Sequence, residues 1–148
     1  MRVLLVEDDE PKRRQIVDLF SSNEKITLTC AASLNEAVKH VDAQSFEKII
    51  LDMSLPTLNS GNRANASGQQ QDLGGRQFLT YLWELSINTE VFLVTQLNSF
   101  KSENGKIISL QQLDKMLQKE FPGIYKGHSY FHHSTDDWAE KLKNFISP

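Results

Sequence analysis

Apolar residues along this chain fall into short continuous runs, and the clearest of them stop abruptly on an acid or a hydroxyl. Val3–Val6 is cut off by Glu7, Asp8 and Asp9; Ile49–Leu51 by Asp52; and "EVFLVT", Glu90–Thr95, ends on Thr95 itself. Runs that are apolar at nearly every position suit strands buried on both faces. Between them the spacing turns helical. Pro11 can start a helix carrying Ile16, Val17, Leu19 and Phe20. Ile26–Cys30 alternates and is rich in Thr and Ile, which predicts a second strand. Ser33 and Glu36 make a capping-box pattern ahead of Leu34, Ala37, Val38 and Val41. Phe78, Leu79, Leu82 and Trp83 mark a third helix. Ser109 with Gln112 caps a fourth, with Leu110, Leu113, Met116 and Leu117 on one side, and Pro122–Gly123 ends it. Tyr130–His133 supplies a short fifth strand, and Trp138, Leu142, Phe145 and Ile146 recur at helical spacing in the last helix.

Strand and helix alternate throughout, so the expected fold is α/β: a doubly wound, five-stranded parallel sheet covered by helices on both faces. Residues 1–148 read as one domain, and a domain of this length buries roughly 70% of its unfolded surface. Two connections exceed the usual short loops. Thr57–Gly75 is rich in Asn, Gln, Ser and Gly and is expected to be mobile. Gln96–Gly127 carries its own helix and is expected to be ordered.

Charge and cysteine content narrow the partners. The net charge of −3 offers no basic field for nucleic acid. The single cysteine, Cys30, rules out an internal disulfide and reads as a small buried thiol within "ITLTCAA". The first apolar run is too short for a signal peptide, and no run approaches a membrane span. A cytoplasmic protein without membrane contact is expected, and the glycosylation sequon at Asn65 is then a chance match.

Candidate chemistry sits at the strand ends. In a parallel sheet Glu7, Asp8, Asp52 and Thr95 share one rim, where open α/β sheets bind ligands. A carboxylate ending a buried strand is costly unless a metal, a cation or water meets it. Three held close repel unless a hard cation takes them, and Mg²⁺ is satisfied by one or two carboxylates plus waters and a phosphate. The set suits a carboxylate nucleophile that accepts a phosphoryl group beside magnesium.

These residues also carry a family pattern. "VLLVEDDEPKRR", "IILDMSLP" with Pro56 four residues after its Asp, "VFLVTQ", and "GRQFLTYL" with Gly75 as the turn glycine occur in order. Together they resemble the response-regulator receiver domains of two-component signalling, which have a flavodoxin-like fold. The resemblance implies Asp52 as phosphoacceptor, Asp8 as a direct Mg²⁺ ligand, Glu7 as a ligand directly or through water, and the Ser54 backbone carbonyl as a further ligand. It implies Thr95 as the switch hydroxyl and Tyr130 as the aromatic whose rotamer follows the switch, against simple packing. It further implies a histidine kinase or phosphotransfer protein as phosphodonor and an unidentified downstream protein as target. A stand-alone receiver is expected, a phosphoacceptor signalling domain rather than an enzyme, with the partner surface in Gln96–Gly127 and Phe100 within it.

One departure bears on the chemistry. Receivers carry Lys then Pro after the fifth strand, whereas this chain reads "HSYFHHSTDDW". Counting from Tyr130 places His133 at the lysine position, with His132 one step away as the other candidate. A neutral imidazole is no permanent cation, and histidine's ordinary pKa of about 6.5 leaves it mostly uncharged at neutral pH. A cation about 4 Å from an anion contributes between ~1 and ~4 kcal/mol at a partly exposed site. The missing lysine supports an alternative, a pseudo-receiver that signals without phosphorylation. Other readings are weaker. A zinc site on His128, His132 and His133 lacks a nearby Cys, and neighbouring strand residues face opposite ways. An aspartate-nucleophile phosphatase needs an acid where Ser54 stands, and nucleotide enzymes need a Gly-rich turn where "EDDEPKR" stands.

Overall fold

The apolar runs form the strands expected of them. The computed structural model describes residues 1–55, 73–101 and 104–147. In chain order the elements are β1 (Arg2–Val6), α1 (Glu10–Phe20), β2 (Thr27–Ala31), α2 (Leu34–Ala43), β3 (Lys48–Leu51) and α3 (Leu73–Glu84). They continue with β4 (Glu90–Thr95), β5 (Ser99–Lys101), β6 (Ile107–Ser109), α4 (Leu110–Glu120), β7 (Tyr125–Tyr130) and α5 (Asp137–Ile146). Five strands form a parallel sheet in the order β2-β1-β3-β4-β7, and β5 pairs with β6 as a separate antiparallel hairpin. Most of the segment Thr57–Gly75 and also Pro56 lie outside the described residues; its last three residues form the first turn of α3.

Strand periodicity sorts the core into two layers. Leu4, Val6, Ile49, Leu51, Val91 and Leu93 face one side, packed with Leu34 and Ala37 of α2, Phe78, Leu79 and Leu82 of α3, and Leu113 and Leu117 of α4. Their neighbours Val3, Leu5, Ile50, Phe92 and Val94 face the other side, against Ile16 and Phe20 of α1 and Trp138, Leu142 and Ile146 of α5. Helix starts are fixed by side-chain caps. The Asp9 carboxylate accepts from the Lys12 amide at 3.0 Å with Pro11 in the first turn, and Ser109 and Gln112 form a complete reciprocal box. At α2 Ser33 caps Glu36 as expected, while the Glu36 side chain returns to the Ala32 amide.

Three expectations are corrected. The fifth sheet strand is Tyr125–Tyr130, not Tyr130–His133. It lies at the sheet edge, so "YKGHSY" carries a weak apolar signal, and Lys126 falls outside the one-to-one register with β4. Cys30 is exposed rather than buried, because β2 forms the opposite edge. Phe100 is not a surface residue: the hairpin folds it into the core, 3% exposed, with Leu110 and Leu113. No helix among the described residues is long and apolar enough to cross a membrane.

The hairpin is therefore an extension of the core on its Phe100 side and open to solvent at Ile107, which is 76% exposed. Replacing Phe100 by Ala is expected to lower the unfolding free energy by about 3 kcal/mol in a urea titration, whereas Ile107→Ser stays within about 0.5 kcal/mol. Equal costs at the two positions would contradict this packing.

Candidate functional site

Three neighbouring strands, β1, β3 and β4, deliver their last residues to one rim. Glu7 and Asp8 follow β1, Asp52 follows β3, and Thr95 ends β4. One carboxylate oxygen from each of Glu7, Asp8 and Asp52 lies within 4.8 Å of the others. They line a cleft of about 320 Å³, together with Gln96 and Leu97. Glu7 and Asp52 are buried, 1% and 4% exposed, while Asp8 faces solvent. Two buried acids side by side need compensation.

Lys12 supplies it. Its ammonium, on a side chain 1% exposed, lies 2.6 Å from Glu7 Oε1, 3.4 Å from Asp52 Oδ1 and 2.8 Å from the Val94 carbonyl oxygen, to which it donates. The Phe131 ring covers it, with the centroid 5.8 Å away. Lys12 lies outside the strand-end motifs, but its helical spacing signals it. Lys12, Ile16 and Phe20 fall four apart and form the buried stripe of α1, so a lysine occupies a core-facing helical position.

Local structure holds the rest of the loop that follows β3. Ser54 donates its hydroxyl to Asp52 Oδ2 at 2.8 Å, a role beyond the backbone carbonyl expected of it. The first turn of α3 presses on this loop. The Gly75 amide donates to the Met53 carbonyl at 3.2 Å. A Cβ on Gly74 would stand 1.7 Å from the Leu55 carbonyl oxygen, and one on Gly75 would stand 2.7 Å from the Met53 Cα. Both positions admit only glycine because backbone meets backbone there.

The remaining predicted residues are placed as follows. Thr95 is fully buried, and its hydroxyl oxygen accepts from the Leu97 amide at 3.1 Å. Tyr130 is paired with Thr95 in the sheet register and is 42% exposed, its ring tilted against His132. His133 is exposed. Its Nδ1 lies 2.8 Å from Gln15 Nε2, and its ring packs at a right angle to that of Phe131, which also contacts Trp138. His132 bonds to the Ser134 hydroxyl and His128 to Asp114. The three histidines do not form a metal-holding group among the described residues; the three acids do.

Burial dominates the electrostatics. It pushes the Glu7 carboxyl up to about 8, helped by the negative charge of Asp52 and opposed by Lys12. Burial, then Asp52, also raises Asp8. Glu7 thus keeps its proton in the folded protein over a range where the unfolded chain has lost it. Stability should fall as pH rises from about 4.5, its ordinary value, toward about 8. Urea midpoints across this range should decline for the unmodified protein, with the decline reduced in Glu7→Gln; parallel profiles would refute the assignment.

No protein-family model matches the chain. It is 27% identical over 145 residues to the uncharacterized protein y4jR of Sinorhizobium fredii, covering 97% of this chain and 95% of that one. It is 26% identical over 147 residues to the Detocs response regulatory protein DtcB of Enterobacter cloacae, covering 96% and 95%. Among solved structures it superposes on the response regulator TrrA of Thermotoga maritima, in complex with Mg²⁺ and BeF, with a TM-score of 0.59, 17% identity and 98% of each chain covered. The fold is that of response-regulator receiver domains, as the strand order and the motifs indicated.

Proposed function

We propose that this chain, which has the receiver fold, accepts a phosphoryl group on Asp52 from a phosphohistidine of a kinase or phosphotransfer protein and signals through protein contacts. The observation that carries this reading is the convergence of three carboxylate oxygens within 4.8 Å on a strand-end cleft, with Asp52 held by a hydroxyl on one oxygen and near a cation on the other. In the transfer an Asp52 carboxylate oxygen forms the new P–O bond as the P–N bond breaks. The leaving nitrogen keeps the bonding pair and takes a proton from solvent.

The residues fit Mg²⁺. Their donors are hard oxygens converging within 4.8 Å, and a divalent cation would supply the positive charge that favours the ionised form of all three acids, Glu7 included. Asp8 and Asp52 would hold the ion directly, Glu7 directly or through water, and the Ser54 carbonyl would add a ligand. When bound, the ion offsets charge on the transferring phosphoryl group. TrrA, a structure similar to this one, was solved with Mg²⁺ and BeF, which supports the reading. Thr95 donates its hydroxyl to a phosphoryl oxygen, and Tyr130, paired with it in register, responds to that movement.

The partner surface lies in Gln96–Gly127, through the solvent face of α4 and Ile107, because Phe100 is committed to the core. A second reading, a pseudo-receiver that works without phosphorylation, draws on Lys12, whose ammonium meets both Glu7 and Asp52 and so places a cation among the acids without any metal.

Intact-mass measurement after incubation with acetyl phosphate and Mg²⁺ separates the two readings. One phosphoryl group should add to the unmodified protein and none to Asp52→Asn. No adduct on the unmodified protein would favour the pseudo-receiver. Millimolar Mg²⁺ should raise the melting temperature, and Asp8→Asn should remove most of that rise, since a cation that binds only the folded state stabilises it by mass action.

A further inference from the structure

Lys12 is unusual twice over. It stands in the apolar stripe of α1, and it stands where the cation missing from the last strand would be needed. A protonated amine has three N–H donors. Two are used at close range, on Glu7 Oε1 at 2.6 Å and on the Val94 carbonyl at 2.8 Å. The third partner, Asp52 Oδ1, lies at 3.4 Å, beyond the usual range of a charged hydrogen bond. That donor is the one nearest the acceptor, and it lacks a close oxygen. A phosphoryl group on Asp52 would bring three anionic oxygens to this position.

The other candidates for the cation are turned elsewhere. His133 bonds to Gln15 and His132 to Ser134, both at the surface. Phe131, the buried residue after β7, presents an aromatic face to the ammonium in place of a charge.

We infer that Lys12, carried on α1, is the cation that contacts the phosphoryl group on Asp52, taking over from the first helix the task that receivers give to a lysine after their last strand. The inference rests on the phosphoacceptor reading of Asp52. Lys12 keeps its anchor on the Val94 carbonyl and turns its third donor from Asp52 Oδ1 to a phosphoryl oxygen. The anchor adjoins Thr95, so the same ammonium reports the new charge to the end of β4.

The test compares the unmodified protein, Lys12→Met and Asp52→Asn in two measurements: the rate of adduct formation from acetyl phosphate with Mg²⁺, and the melting temperature with Mg²⁺ alone and then with beryllofluoride. Lys12→Met should keep the Mg²⁺ increment, because the three acids remain. It should lose the further increment from beryllofluoride and form adduct at least tenfold more slowly. A lysine with a purely structural role would change the basal melting temperature and leave the beryllofluoride increment intact; that result, or adduct formation at the unmodified rate, overturns the assignment. Should Lys12→Met fail to fold, the ¹⁵N signal of the Lys12 ammonium in the unmodified protein decides. It should shift when beryllofluoride joins the Mg²⁺-loaded protein, and an unmoved signal overturns the inference. An unmodified protein that takes neither adduct nor beryllofluoride overturns the phosphoacceptor reading and this inference with it, whereas a responsive parent with a fully responsive Lys12→Met overturns only the latter.

Discussion

Everything at the rim depends on one buried ion cluster, in which the ammonium of Lys12 lies between Glu7 and Asp52. Neither acid would be tolerated alone at its burial, since desolvating an unpaired carboxylate costs several kcal/mol. The lysine meets the same objection, and each charge is admitted only because the others are present. Compensation is incomplete: the Glu7 carboxyl is still pushed up to about 8. A cation entering the cleft can take the place of the proton that burial leaves on Glu7, and that exchange links the packing of the core to the chemistry proposed for the cleft.

The sheet makes this cluster possible by geometry. Parallel pairing of β1 with β3 and of β3 with β4 aligns their carboxyl ends, so acids more than forty positions apart in sequence arrive together without a dedicated loop. The loop after β3 is then pinned from both sides. Ser54 holds an oxygen of Asp52, and the paired glycines of α3 let that helix approach the loop backbone at distances a side chain would forbid. Asp9 contributes differently: its carboxylate caps α1, while its own amide donates to Glu7, so the helix that carries Lys12 is fastened to the acid Lys12 pairs with.

What could be read from the sequence follows the same physics. Val3–Val6, Ile49–Leu51 and Val91–Val94 are buried on both faces, so their continuous apolar character named them as central strands and placed Glu7, Asp8, Asp52 and Thr95 on one rim. The edge strands were less legible. Exposure on one side dilutes the pattern in "YKGHSY", and it let an exposed Cys30 pass as a core thiol. Phe100 misled in the opposite direction, because polar neighbours in a short hairpin conceal a single inward-facing ring. Lys12 was missed for a related reason. The family pattern points to the end of the last strand for a lysine, whereas the helical stripe Lys12–Ile16–Phe20 sets a charge facing inward from α1.

Moving a cation from strand end to helix changes what the site is attached to. A lysine after β7 would tie Asp52 to the edge strand and, through it, to α5. Lys12 ties it instead to α1 through the main chain and to β4 through the Val94 carbonyl, one residue before Thr95. After β7, His132, His133 and Ser134 are exposed and Phe131 alone turns inward. In the proposed arrangement a phosphoryl group on Asp52 draws directly on α1 and β4, and reaches β7 by two indirect routes. One is the backbone bond from the Phe131 amide to the Thr95 carbonyl, at 2.7 Å; the other is the contact of the Phe131 ring with the ammonium. Both routes converge on Phe131, whose ring also packs on Trp138 at the start of α5. A buried aromatic at that junction can pass a displacement of Lys12 to the last helix without any charge on the last strand.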